Sequence, residues 1–220
     1  MAHTITALNA QKRNPQRINI YLDGEFAFGL TRIVAAWLEV GQVLSDEKIA
    51  QLQAEDAQEV AYQRALNLLS YRPRSTAEIR QNLSRHGVDE KCMDQVLERL
   101  ERSGLVNDAQ FARLWVENRS EFRPRSQRAL TYELRQRGVA AQDIEDALQS
   151  LDNQGLACQA ALKHARRLKD LEWQDFRKKM YAFLARRGFN YQDSNVAVRR
   201  AWREYHENEI DTYGLEEVNQ

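Results

Sequence analysis

The sequence has few of the features that would place it among disordered, secreted or membrane proteins. It contains only three prolines, and its formal net charge is zero, so wholesale disorder is not expected. No run of about eighteen apolar residues occurs, so no membrane-spanning segment is expected. The first residues carry neither a basic stretch nor an apolar core, which predicts no secretory signal and a cytoplasmic location.

Residues with metal-binding or catalytic chemistry are also scarce. Cys92 and Cys158 are the two cysteines, and they form no Cys-x-x-Cys pair, so we expect two reduced, buried thiols. The four histidines have no partner at metal-ligand spacing, and neither glycine-rich phosphate-binding motif occurs. We therefore predict no catalytic residues, no metal, no cofactor and no small-molecule substrate.

The charged residues, in contrast, are abundant and unevenly distributed. Residues 39–59 contain six acids and one base, and only acids follow Arg203. Residues 112–138 contain seven bases and three acids, a net charge of +4, and residues 163–203 contain twelve bases and four acids, a net charge of +8. Basic surface of this kind favours a polyanion or an acidic protein as the partner.

The strongest pattern is an internal repeat. The sequence Arg-Pro-Arg-Ser occurs at residues 72–75 and again at residues 123–126. The glycines Gly87, Gly138 and Gly188, which follow similar segments, are 51 and 50 residues apart. A fixed period of this length is the signature of a tandem array of one supersecondary unit.

Each repeat is predicted to contain three helices. Arg72 and Arg123 precede a proline and are therefore pushed out of helical geometry, which ends the first helix. In the first repeat Ser75 can cap the second helix, and Glu78, three residues later, completes a capping box. In the second repeat Ala129 stands in place of that glutamate, so only half of the box is present.

The second helix of each repeat is predicted to end at its glycine, and the third helix carries an apolar stripe. Glycine suits the left-handed position that follows a helix. The stripe follows the helical spacing i, i+3, i+4, i+7, which directs one face into a core. Its residues are Met93, Val96, Leu97 and Leu100, then Ile144, Ala147, Leu148 and Leu151, then Ala197, Val198 and Ala201 with Ser194 at the first position.

The N-terminal segment follows a different pattern. Residues 5–10, 17–22 and 25–29 read as short strands, with Asp23-Gly24 as a hairpin turn, and residues 30–40 read as a short helix. The predicted fold is mainly all-α: an elongated array of three tandem three-helix repeats after a small N-terminal β-hairpin and short helix. The predicted boundaries are 1–44 for the N-terminal segment, 45–105, 106–155 and 156–206 for the repeats, and 207–220 for an acidic tail.

Arginines are the main candidates for a functional surface. Arg123, Arg125 and Arg128 cluster at a predicted helix start, where positive charge opposes the helix dipole. One interpretation is a binding surface for anions; the alternative is a solvated face, or pairing with Glu121 and Glu133. The full set of candidates for contact with a filament or DNA is Arg72, Arg74, Arg123, Arg125, Arg128, Arg135, Arg137, Arg166, Arg167, Lys178 and Lys179.

Several of these segments together resemble the RecX family of recombinase regulators. The resemblance is carried by Ala65–Arg80, by Gly104–Ala112 with its Asn-Asp-x-x-Phe-Ala, by Arg119–Ser126 and by Glu133–Val139. It covers residues 58–205, and Arg17–Phe26 is similar to the N-terminal extension of longer members. Each segment alone is a weak signal, whereas their combination is fairly specific.

The resemblance implies a modulator of the bacterial recombinase RecA. Such proteins are curved arrays of three-helix repeats without catalytic residues; they bind along the RecA–DNA filament and usually inhibit strand exchange, ATP hydrolysis and the coprotease activity. The partners it implies are the RecA filament and single- and double-stranded DNA, with no membrane, and we expect a monomer. Two alternatives stay open: a stand-alone helix-turn-helix DNA-binding protein and a protein-only helical scaffold.

Overall fold

The computed structural model describes the backbone of residues 1–214 and the side chains of residues 1–205. Within this part of the chain, nine α-helices follow a four-stranded antiparallel sheet, which confirms the predicted fold class. The chain divides into two units, Met1–Asn107 and Asp108–Gln220. The first unit holds the sheet and three helices, and the second holds the other six helices.

The N-terminal sheet contains the three predicted strands and one that was missed. Its strands are β1 (Ala2–Ala10), β2 (Arg17–Leu22), β3 (Glu25–Thr31) and β4 (Val43–Ser45), in the order β3-β2-β1-β4. Asp23 and Gly24 join β2 to β3 with φ angles of 52° and 94°, the left-handed geometry of a two-residue hairpin turn. The fourth strand has only three residues, too few to show an alternating pattern.

The predicted short helix over residues 30–40 is much shorter than expected. The chain stays extended to Thr31, because Leu30 is fully buried in the sheet and the Arg32 N–H donates to the Gln16 carbonyl at 2.8 Å. Only Val34–Trp37 then form a single 3-10 turn. Tertiary pairing therefore overrides the local helical pattern here.

A long helix, α1 (Asp46–Tyr71), packs its first half against the sheet. Ser45 caps it, with the side-chain oxygen accepting the Lys48 N–H at 3.3 Å. Asp56 in α1 is 8% exposed and accepts hydrogen bonds from Arg17 Nη1 at 3.0 Å and from the Thr31 N–H. A buried carboxylate is costly unless it is paired, so these bonds fix the sheet on the helix.

The nine helices form the three predicted repeats. Repeat 1 consists of α1, α2 (Thr76–Arg85) and α3 (Glu90–Arg102). Repeat 2 consists of α4 (Asp108–Phe122), α5 (Gln127–Gln136) and α6 (Ala141–Leu148). Repeat 3 consists of α7 (Asn153–Ala165), α8 (Trp173–Arg186) and α9 (Tyr191–Gly214). Of the predicted acidic tail, residues 207–214 belong to α9, and residues 215–220 lie outside the described residues.

The second helix of every repeat ends in the same way. Gly87, Gly138 and Gly188 have φ angles of 75°, 73° and 88°, which a residue with a side chain adopts only at a cost. In repeat 1 the Gly87 N–H donates to the Ser84 carbonyl and the Val88 N–H to the Leu83 carbonyl, at 3.0 and 3.2 Å. The other two repeats form the same pair of bonds. This Schellman motif confirms the predicted role of the repeated glycine.

Each repeat has its own hydrophobic core, built around the predicted stripes. Val96 and Leu100 are fully buried in repeat 1, as are Ala197 and Ala201 in repeat 3. Burying one such leucine or valine contributes roughly 1.5–3 kcal/mol. Because each core joins helices of a single repeat, repeats 2 and 3 are held together in unit 2 by contacts at their edges.

The two cysteines behave as predicted from their positions. Cys92 and Cys158 are buried and form no disulfide. Burial raises the pKa of both thiols, so the protonated form is favoured.

Among the described residues, no group of histidine, cysteine, aspartate and glutamate side chains could hold a metal ion. No helix in that part of the chain is both long and apolar enough to cross a membrane.

Candidate functional site

In the Arg-Pro-Arg-Ser loop of repeat 1, the first arginine is paired with a carboxylate. Arg72 Nη1 and Nη2 donate to the two carboxylate oxygens of Glu78, both at 3.0 Å, and Nη1 also donates to the Pro73 carbonyl at 2.8 Å. A bidentate pair of this kind fixes the guanidinium and cancels its charge locally. Arg74 is half-buried, and its Nε atom has no hydrogen-bond partner within the described part of the chain.

The corresponding loop of repeat 2 has the same backbone but a different charge balance. Ser126 Oγ accepts the Ala129 N–H at 3.2 Å, just as Ser75 Oγ accepts the Glu78 N–H at 3.2 Å. Ala129 has no carboxylate to offer Arg123, the counterpart of Arg72. Arg123 is exposed, and within residues 1–205 no ion pair involves it.

A single carboxylate, that of Glu133 in α5, organises the other cations of this loop. Arg125 Nη1 donates to Glu133 Oε1 at 2.9 Å. Arg119 Nε and Trp115 Nε1 both donate to Oε2, at 3.0 and 2.9 Å. The one negative charge of Glu133 therefore faces the two positive guanidinium groups of Arg119 and Arg125 as well as the neutral indole of Trp115. The group formed by these four side chains keeps an excess of positive charge.

The Trp115 ring lies between two arginines. The Arg119 guanidinium is 4.3 Å and the Arg137 guanidinium 3.8 Å from the ring centre. Such cation–π contacts stabilise exposed sites by about 0.5–1 kcal/mol each. Intramolecular pairing was the alternative that the sequence left open for these arginines. Arg125 is paired in this way, with Glu133, and Arg137 packs on the Trp115 ring.

Arg187, at the end of α8 in repeat 3, lies against the repeat 2 loop. Its carbonyl accepts the Ser126 N–H at 3.1 Å, and its Nη1 donates to the Pro124 carbonyl at 3.2 Å. Pro124 is the residue between Arg123 and Arg125. The two loop arginines therefore flank the point at which Arg187 binds, and we call Arg123, Arg125 and Arg187 the Arg187 cluster.

This environment disfavours the charged form of Arg187. Burial lowers the pKa of its guanidinium, and the positive charges of Arg125 and then Arg123 lower it further. Like charges at short range disfavour the charged form of each group. Arg187 is thus repelled by both loop arginines, one of which, Arg125, is bonded to the carboxylate of Glu133.

Positive charge continues along the neighbouring helix ends of repeat 3. His164 stacks on Phe183 with ring centres 3.9 Å apart, and the Arg187 guanidinium lies 4.9 Å from the centre of the same Phe183 ring. The pKa of His164 is lowered by burial and then by the nearby charges of Arg167, Arg186 and Arg187. These residues extend the cationic region beyond the loop.

Close packing explains how repeat 3 reaches the loop. A Cβ atom added to Gly188 would lie 2.5 Å from Ser126 Oγ and 2.9 Å from Ala129 Cβ. The small residues at positions 129 and 188 therefore let the end of α8 approach the start of α5. Ala129 thus has two effects: it admits repeat 3, and it leaves Arg123 without the partner that Arg72 has.

The other sequence-predicted candidates all lie in the second unit. Arg128 lines a shallow groove of about 440 Å³ together with Ser126 and Gly188. Arg135 is exposed near the end of α5. Arg166, Arg167, Lys178 and Lys179 are exposed at the end of α7 or on α8.

Sequence reasoning missed the residue that connects the two repeats. Arg187 precedes the repeated glycine, as Arg137 does, so its position in the repeat was available from the sequence. Its contact with Pro124 was not, because that contact depends on how repeat 3 packs on repeat 2. The neighbouring His164 and Arg186 were missed for the same reason.

Comparison with known proteins decides the family. The chain matches the models of the regulatory protein RecX N-terminal domain over residues 3–45 and of the first, second and third RecX three-helix domains over residues 61–100, 107–148 and 152–198. It is 31% identical over 214 residues to the regulatory protein RecX of Bacillus subtilis, covering 94% of this chain and 80% of that protein. The chain belongs to the RecX family.

Comparisons with other RecX proteins support the same family assignment. The regulatory protein RecX of Amycolatopsis mediterranei is 33% identical over 159 residues, which cover 71% of this chain and 91% of the relative. A crystal structure of a regulatory protein RecX is similar with a TM-score of 0.67 and 29% identity, covering 89% of this chain and 98% of that one. RecX proteins are regulatory proteins and are not a known enzyme family.

Proposed function

We propose that this chain binds the filament that the RecA recombinase forms on DNA and inhibits its strand exchange, ATP hydrolysis and coprotease activity. The observation that carries the proposal is the Arg187 cluster, three neighbouring arginines of which only Arg125 has an ion pair within residues 1–205. Membership of a family of regulatory proteins supports a role in binding. A nucleoprotein filament offers the repeated negative charge that such a surface attracts.

The balance of charges in repeats 2 and 3 supports contact with DNA in the filament. Exposed cations at the ends of α7 and α8 neighbour the Arg187 cluster, and residues 163–203 carry a net charge of +8. Neutralising phosphates with arginine and lysine releases counterions, so the affinity falls steeply with added salt. We therefore expect both single- and double-stranded DNA to bind, with weak sequence preference.

The test is RecA-catalysed strand exchange and single-strand-dependent ATP hydrolysis with stoichiometric amounts of this chain. Both rates should fall, and the double variant Arg123→Ala, Arg128→Ala should inhibit less. Arg80→Ala is the matched control, because Arg80 is already neutralised by Glu90 and Asp94 at 2.5 and 2.6 Å. Unchanged rates with the unsubstituted chain would show that the proposal is wrong.

Measurements of binding to naked DNA, with and without RecA, separate the two alternative functions. A stand-alone helix-turn-helix protein would bind naked duplex DNA with strong sequence preference, because direct readout of bases discriminates between sites. A protein-only scaffold would bind no DNA, with or without RecA. Our proposal predicts neither behaviour: naked DNA should bind in a salt-dependent and sequence-tolerant manner, and the filament should bind more tightly.

A further inference from the structure

We propose that the Arg187 cluster is a binding site for a phosphodiester group of a nucleic-acid backbone, built jointly by repeats 2 and 3. The proposal deepens the proposed function, on which it rests, by naming where DNA is held. Its geometric basis is the hydrogen bond of Arg187 Nη1 to the Pro124 carbonyl at 3.2 Å, which brings the Arg187 guanidinium to the backbone of the residue between Arg123 and Arg125.

The three arginines have different roles in this site. Arg125 is held by Glu133 at 2.9 Å, so its position is fixed and its charge is partly balanced. Arg187 uses Nη1 for the Pro124 carbonyl, which leaves its other N–H groups for a ligand. Arg123 is exposed and has no ion pair within residues 1–205, so it can close over an anion that Arg187 already contacts.

A tetrahedral oxyanion fits this arrangement. A phosphate group accepts charge-assisted hydrogen bonds from several guanidinium groups at once, and arginine is suited to two parallel bonds with it. A bound anion would also relieve the repulsion that Arg123 and Arg125 exert on Arg187. Glu133 bonds only Arg125 of the cluster within residues 1–205, so Arg123 and Arg187 are left to contact a ligand.

The surroundings favour a nucleic acid over an acidic protein segment. Exposed cations continue from the cluster to Arg186 and Arg167, along helix ends that also position the stacked His164–Phe183 pair. A chain of regularly spaced phosphates can neutralise such a succession of cations. An acidic protein segment would do so only with carboxylates at matching positions, whereas a nucleic acid presents a phosphate at every nucleotide.

The two repeats provide a direct test by exchange of one residue. Ala129→Glu restores in repeat 2 the glutamate that neutralises Arg72 in repeat 1, and the new carboxylate should pair with Arg123. Because Ala129 lies against Gly188, the added side chain must extend along the loop towards Arg123. This variant cancels charge at the site without removing any arginine.

The experiment measures binding of a fluorescent oligo-dT to the full chain by anisotropy over a series of salt concentrations. Arg123→Ala and Ala129→Glu should each weaken binding about tenfold at low salt, the loss expected for one charge-assisted hydrogen bond. Each should also reduce the slope of log affinity against log salt by about 0.7, the value for one phosphate on a single strand. Arg80→Ala, the paired control, should change neither quantity.

The outcomes separate this inference from the proposed function. Unchanged affinity and salt slope for Arg123→Ala, whose side chain is exposed and whose fold is therefore secure, would overturn the phosphate site even if Ala129→Glu failed to fold. Displacement of oligo-dT by poly-glutamate at equal charge concentration would overturn the assignment to nucleic acid. If both variants lose DNA binding as expected while the chain leaves RecA activity unchanged, the site stands and the proposed function is wrong.

Discussion

The loops at residues 72–75 and 123–126 have the same four residues and the same capping bond, but a different arginine is paired in each. In repeat 1, Arg72 is closed onto Glu78 by two hydrogen bonds of 3.0 Å. In repeat 2, Arg123 is exposed beside Arg187, whose pKa is lowered by burial and by the other two arginines of the cluster. Within the described residues, the first arginine of the motif is the one paired with a carboxylate in repeat 1, and the second arginine is the one paired in repeat 2.

The difference lies outside the repeated motif, at a position three residues after it. Glutamate at position 78 supplies a carboxylate; alanine at position 129 does not, and it also makes room for Gly188 of repeat 3. A duplicated arginine loop can therefore have different ion pairs in its two copies. The residue to inspect is the third one of the following helix, because only there does the side chain reach back to the loop.

The largest effect is expected from Gly188→Ala, which breaks the contact between repeats 2 and 3. The added Cβ would overlap Ser126 Oγ and Ala129 Cβ at 2.5 and 2.9 Å, and φ is +88°. Overpacking and left-handed strain together should lower the free energy of unfolding of the second unit by about 2–5 kcal/mol. Urea denaturation followed by circular dichroism measures this loss.

The matched control is Gly87→Ala in repeat 1. Gly87 has a φ of +75°, but an added Cβ atom would meet nothing within 4 Å. Only the backbone strain should therefore act, and it should lower the free energy of unfolding by about 1–2 kcal/mol. Equal losses for the two variants would contradict the packing role assigned to Gly188.

An intermediate effect is expected from Glu78→Ala, which gives repeat 1 the residue of repeat 2. Removing the partly exposed pair with Arg72 should lower the free energy of unfolding by about 1 kcal/mol. The released Arg72 should at the same time increase the salt dependence of oligo-dT binding. Urea denaturation and salt-series anisotropy of the same preparation measure both changes, and an unaltered salt slope would show that Glu78 does not suppress binding in repeat 1.

The smallest expected effect is a dependence of the free energy of unfolding on pH, which arises from His164. The pKa of His164 is below its ordinary value of about 6.5, first because of burial and then because of Arg167, Arg186 and Arg187. The unfolded chain therefore binds this proton more readily, so stability should be complete above pH 6.5 and decline as the pH falls below it. Bound oligo-dT should raise the pKa of His164 in an NMR titration, because phosphates offset the neighbouring cations. A pKa that does not move on binding would place the DNA elsewhere.

Much of the fold was predictable from local patterns. The three glycines fixed the ends of α2, α5 and α8, because their left-handed geometry is a local requirement. The apolar stripe of α3 and its equivalents identified the cores of the repeats, because helical periodicity survives in every copy. The Asp23-Gly24 turn was equally local.

What the sequence could not show depends on contacts between distant residues. Trp115 and Glu133 are separated by a loop and part of α5, and nothing in either helix predicts their hydrogen bond of 2.9 Å. The contact of Arg187 with Pro124 spans 63 positions and two repeats. The short strand β4 exists only because β1 pairs with it. The arginines of the candidate site could therefore be identified by charge but not sorted into paired and unpaired groups.

The length of α1 has a mechanical consequence. Its 26 residues form one rod of about 39 Å that carries the sheet on its first half and contributes Ala61 and Ala65 to the core of repeat 1. The sheet has no flexible linker to repeat 1, so a load applied to the sheet is transmitted directly to that core. The N-terminal sheet and repeat 1 are therefore connected rigidly through α1, so a rotation of the sheet about the helix axis also rotates repeat 1.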